Sequence, residues 1–122
     1  MTHRNGVDLI NDLALTEVER KEKSAKMYNR KTMDAPGWIS PIDVAENYLS
    51  LAELFIKIHP DFFSASLIYE RMALAYMVLH RWQEAAIAID KCLELGLPPD
   101  LQKDKALLEE ARQELSKRGW IN

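Results

Sequence analysis

The chain has 122 residues, 48% of them hydrophobic and 29% charged, with a formal net charge of −3. That supports one domain with a real core, and the slightly acidic balance argues against a dedicated nucleic-acid binder. The single cysteine, Cys92, excludes an internal disulfide and a cysteine-based zinc site, while no apolar run approaches the ~20 residues of a membrane span.

No apolar signal core follows the first residues, so the expected setting is cytoplasmic. Sustained polar–apolar alternation is missing, whereas helical signals recur along the chain. Val7 to Leu15 is rich in apolar residues, and its pattern leaves open whether it forms its own turn of helix. Thr16 and Glu19 have the spacing of a capping box, which predicts a helix running to about Met33. Asp34-Ala35-Pro36-Gly37 breaks it, and Trp38 follows in the loop. Ser40-Pro41 reads as an N-cap with proline at the first helical position, opening a helix to about Ile58. On that helix Val44, Tyr48, Leu51, Phe55 and Ile58 share one face. Ile42, Leu49, Leu54 and Ile56 add apolar groups around it, a pattern that predicts a central, buried helix.

A third helix is predicted over Ser66 to Leu79, with Ile68, Met72, Ala75, Tyr76 and Leu79 at helical spacing. After His80-Arg81 a fourth runs from Gln83 to Leu95, closed by Gly96 and by Pro98-Pro99. Asp100 is placed to cap a fifth, which continues to Arg118 and stops at Gly119. The chain thus divides into an N-terminal helical segment and loop, 1–39, and a helical domain, 40–122, together forming one compact all-α domain of about five helices.

The stretch Ser66 to Pro99 resembles a tetratricopeptide repeat, a helix–turn–helix unit of about 34 residues. Tyr69 stands at the early aromatic position, Met72-Ala73 at the leucine and small-residue positions, and Ala75-Tyr76 at the small–aromatic pair. After the turn, Trp82, Glu84-Ala85, Ile89, Cys92 and Leu93 continue the pattern. His80-Arg81 replaces the usual glycine-containing turn, and the proline after the second helix arrives late. Glu46 to Asp61 is similar to the second helix of an earlier, degraded repeat. The resemblance implies a stack of helical hairpins, with the fifth helix as a C-terminal cap.

It also implies a function. Such proteins hold a peptide or helix in the groove lined by their first helices. By the family pattern Leu67, Glu70, Leu74, Met77 and Val78 face that groove here, with Arg71 beside them. Four of the five are apolar, which suits an amphipathic helix rather than the acidic tails recognised by a carboxylate clamp. The expected role is a protein–protein interaction module, an adaptor or chaperone-like protein. Two other arrangements would bury the same face: the chain's own N-terminal helix, or a second copy in a homodimer.

Arg20 to Lys31 carries six cations and one acid. On a helix Lys23, Lys26 and Arg30 share a side, giving a contact surface for an acidic or phosphorylated partner or, less readily, nucleic acid; a solvated helix face has the same composition. His3, His59 and His80 are not spaced for a metal site. Cys92 replaces a small core residue, which points to an inert thiol. No glycine-rich phosphate loop or nucleophile–base arrangement occurs. Neither catalysis nor a cofactor is expected.

Overall fold

A computed structural model describes residues 5–15, 19, 41–60 and 65–122. Among these residues the chain is entirely helical: α1 (Gly6–Leu13), α2 (Pro41–Ile58), α3 (Ala65–Val78), α4 (Trp82–Leu95), a 3-10 turn (Pro99–Leu101) and α5 (Gln102–Lys117). Apart from Glu19, which is helical and exposed, the helix expected from Thr16 to Met33 with its capping box, the Ser40 cap, Trp38, and the basic residues Lys23, Lys26 and Arg30 lie outside the described residues.

Elements α3 and α4 form the most extensive pairing, α2 packs on α3, and α5 packs on α4. Small residues make this possible. Ala73, Ala85 and Cys92 are all 0% exposed, so the α3 and α4 backbones can approach closely. Ile89 of α4 and Leu108, Ala111 and Leu115 of α5 complete the interior. Arg112 of α5 ties the surface of this layer to Asp90 of α4 at 3.1 Å.

Helices α3 and α5 stop in the same way. Arg81 N–H bonds to Tyr76 O and His80 N–H to Met77 O; Trp120 N–H bonds to Leu115 O and Gly119 N–H to Ser116 O. Each is a Schellman motif with a left-handed residue after the helix. At the end of α5 that residue is Gly119 (φ 73°); at the end of α3 it is His80 (φ 58°). The sequence lacks glycine in the α3–α4 turn, and the histidine adopts the glycine conformation instead.

Two expectations are corrected. Asp100 sits in the 3-10 turn instead of capping α5, and the Gln102 side chain reaches back to the Leu97 carbonyl at 3.1 Å. Helix α2 is not central. It buries Ala45, Leu49 and Ala52 against the bundle and leaves Val44, Leu51, Leu54 and Ile58 exposed.

The element that the sequence left open, α1, does form. Asn5 caps it, its side-chain oxygen accepting from Asp8 N–H at 2.9 Å. Eight residues are too few for a stable helix in water, so α1 persists by docking. It lies along α5 and touches α3. Leu9 and Ile10 are 2% and 0% exposed.

Candidate functional site

On α5 the residues that meet α4 and those that meet α1 fall on different sides. Arg112 faces α4, whereas Glu110, Ala111 and Arg118 meet α1. Asp104 lies next to Glu70 of α3. A residue turn of about 100° along the helix then orders the neighbours around α5 as α4, α3, α1. The short helix therefore fills a crevice between α3 and α5, on the side away from α4.

Its fit there is backbone-close. A Cβ on Gly6 would stand 2.2 Å from the Ala111 nitrogen and 2.6 Å from Glu110, so only glycine fits. Gly6 N–H donates to the Glu110 carboxylate at 3.3 Å. At the other end of α1, His80 Nε2 bonds to the Leu13 carbonyl at 2.8 Å; a carbonyl only accepts, so Nε2 carries the proton. Arg118 reaches Asn11 and, at 2.7 Å, Glu114.

Behind those two latches runs an aromatic ladder. The Arg118 guanidinium lies 5.0 Å from the Trp120 ring, Trp120 stacks on Trp82 at 4.8 Å, and Trp82 stacks on His80 at 5.1 Å. Trp120 thus packs against the end of the bundle while keeping one side in solvent. The chain end is tied down by Asn122 N–H donating to the Gln83 side chain at 2.9 Å.

The six residues named from the sequence differ in burial. Met77 is fully buried, and Leu74 and Val78 are partly buried against the core. Leu67 and Glu70 are half-buried, and Arg71 is exposed. The α1 latch His80 lies at the C-terminal end of α3, next to Met77 and Val78, whereas Leu67, Glu70 and Arg71 lie toward its other end.

Glu70 is the electrostatic anomaly of that face. Its Oε2 is buried without a hydrogen-bond partner. Burial first, then the charge of Asp104 and a hydrogen bond with it, push the carboxyl up to about 7, with Arg71 opposing. Cys92 senses the same pair: burial and the two carboxylates hold its thiol up at about 11, so it is neutral and unreactive at pH 7.

The chain matches no known protein family, no curated protein and no solved structure. Its chemistry must therefore be read from geometry alone. Among the described residues no three His, Cys, Asp or Glu side chains group around a metal position, and no helix is long and apolar enough to cross a membrane.

A shallow hollow of about 380 Å³ opens between Tyr69, Met72 and Tyr76 of α3 and Ile87 and Lys91 of α4. It lies on the opposite side of α3 from Leu67 and Leu74. Glu84 and Lys91 also line it, and the Tyr76 hydroxyl already donates to Glu53 of α2 at 2.7 Å. Burial and that bond push the phenol up to about 12. Sequence reasoning left α1 open and missed the roles of Gly6 and His80. The one available signal for α1 was Asn5 three residues before Asp8, with Leu9, Ile10 and Leu13 on one side of the turn that follows.

Proposed function

We propose that this protein is a non-catalytic, cytoplasmic interaction module, an adaptor or chaperone-like protein, that holds an amphipathic helix in the α3–α5 crevice. In this reading α3 and α4 are a tetratricopeptide-like hairpin, α5 is its cap, and α1 is a place-holder. The observation that carries it is the seating of α1. An amphipathic segment from the far end of the chain inserts Leu9 and Ile10 into the crevice, so the surface has the shape and apolarity to accept a helix. A partner would present two adjacent apolar anchors and a small residue opposite Ala111. It would meet Leu74, Met77 and Val78 where α1 now lies and extend past Leu67, with Glu70 and Arg71 setting its charge preference.

The test uses the full chain with Gly6→Leu, whose side chain cannot fit beside Ala111, and a labelled peptide of residues 1–15. Peptide binding should be at least tenfold tighter to this variant than to the wild type, where α1 competes, and Leu74→Glu should abolish it. A folded Gly6→Leu chain that ignores the peptide would show that the crevice is core and nothing more.

A further inference from the structure

The two ends of the α1 seat carry opposite hydrogen-bonding groups. Where α1 begins, the Glu110 carboxylate of α5 accepts from Gly6 N–H at 3.3 Å. Where α1 ends, His80 donates to the Leu13 carbonyl at 2.8 Å, and Arg118 donates to the Asn11 side chain. Arg118 is fixed in that pose. Its Nε bonds to Glu114 at 2.7 Å and its guanidinium lies 5.0 Å from the Trp120 ring, which leaves Nη2 directed at α1. Glu110 and Arg118 are eight residues apart, about 12 Å along a helix, and α1 itself has eight residues.

This arrangement matches the ends of a helix. A helix leaves N–H groups unpaired at its start and carbonyls unpaired at its end, with partial positive charge at the first and partial negative charge at the second. Because α1 runs parallel to α5, its N–H end meets the carboxylate and its carbonyl end meets the donors. An occupant turned end for end would set carbonyls against Glu110 and N–H groups against Arg118. A carboxylate only accepts and a guanidinium only donates, so neither adapts. His80 does adapt, since its proton can move to Nδ1. Size is read between the two ends. Ala111 admits only glycine at the first position, Leu9 and Ile10 are buried at the fourth and fifth, and Leu13 packs on the core at the eighth.

Resting on the crevice reading above, we infer that the crevice selects its occupant by direction, with Glu110 and Arg118 as the residues that set it. The occupant is a partner protein's amphipathic helix running parallel to α5. It carries glycine first, leucine-sized residues fourth and fifth, a side-chain hydrogen-bond acceptor sixth and an apolar residue eighth. A second copy offers only the α1 that each chain already seats for itself, so a partner's helix is the occupant that gains.

The test uses the full Gly6→Leu chain with two peptides, residues 1–15 and the same residues in reverse order. The forward peptide should bind at least tenfold tighter than the reversed one. Glutamine both donates and accepts, so Glu110→Gln with Arg118→Gln should bring the two peptides to near parity, with unchanged helical circular dichroism; Glu110→Gln alone, at an exposed position, should narrow the gap. A nitroxide on residue 5 of the bound forward peptide should broaden the amide signals around Glu110 and leave that of Gly119 sharp. Equal binding of both peptides overturns direction reading and leaves the crevice reading standing, whereas binding of neither ends both. A preference that survives the double substitution, or broadening at Gly119, removes the assignment to Glu110 and Arg118. A stable complex between the Gly6→Leu chain and the wild type would make a second copy the occupant and also overturns the proposal.

Discussion

The crevice between α3 and α5 and the outer side of α2 are built from similar apolar residues, yet the fold treats them oppositely. The crevice is filled from within by Leu9 and Ile10, held by polar latches at both ends of α1. On the outer side of α2, Val44, Leu51, Leu54 and Ile58 stay exposed, while Tyr48 and Phe55 are half-buried. The difference lies in what each surface can be closed by. The crevice is flanked by Ala111, small enough to admit the backbone of Gly6, and by His80 and Arg118, which satisfy polar groups of α1. The outer side of α2 is a row of apolar side chains interrupted by Tyr48, which lies half-buried near Arg71. Apolarity creates the demand for burial; small residues and polar partners at the rim decide what meets it.

Paired truncations give the sharpest break of that comparison. Ile10→Ala should cost about 2–5 kcal/mol, the range for emptying a filled core position. Leu51→Ala should stay within about 0.5 kcal/mol in urea unfolding, because an exposed side chain leaves no cavity. Equal losses would mean that Leu51 is covered in the folded chain.

Acid should sharpen the electrostatic side of the crevice. Glu70 is pushed up to about 7 in the folded chain, above an ordinary carboxyl in the unfolded one. The folded state then binds the proton more tightly, so this group's contribution to stability falls as pH rises from about 4.5 to 7 and levels off above. Glu70→Gln should flatten that limb in pH-dependent thermal melts. If the slope survives the substitution, Glu70 is not its source.

The α3–α4 hairpin was legible because its signals are local and agree with one another: a 3.6-residue apolar period, small residues where the helices touch, and Gly96 with Pro98-Pro99 behind. Boundaries of α2, α3 and α4 fall within a residue of expectation. Which face of α2 would be buried was not legible. With two apolar sides about 100° apart, the period alone cannot choose, and Ala45, Leu49 and Ala52 won because small residues let α2 approach α3. Docking of α1 was hidden for another reason. It pairs residues more than 100 positions apart, such as Gly6 with Glu110, and no periodicity carries that information. The six candidate residues follow from the family resemblance, but their burial, from fully buried Met77 to exposed Arg71, follows from packing that no local pattern carries.

The smallest expected effect concerns the joint between the two helix endings. His80 takes the left-handed backbone that Gly119 takes at the end of α5, at a cost of about 1 kcal/mol for a residue with a Cβ. Its side chain offsets that cost by bonding to the Leu13 carbonyl and stacking on Trp82. His80→Gly should relieve the backbone and lose the latch, leaving global stability within about 1 kcal/mol of the wild type. Hydrogen exchange should still change, with the amides of α1 losing several-fold protection while those of α3 and α4 keep theirs. His80→Asn tolerates the same backbone without stacking on Trp82, so it should behave like the glycine variant in α1. Undiminished α1 protection in both would show that Gly6 and the buried Leu9 and Ile10 hold the helix without the histidine, and that the crevice is closed by packing alone.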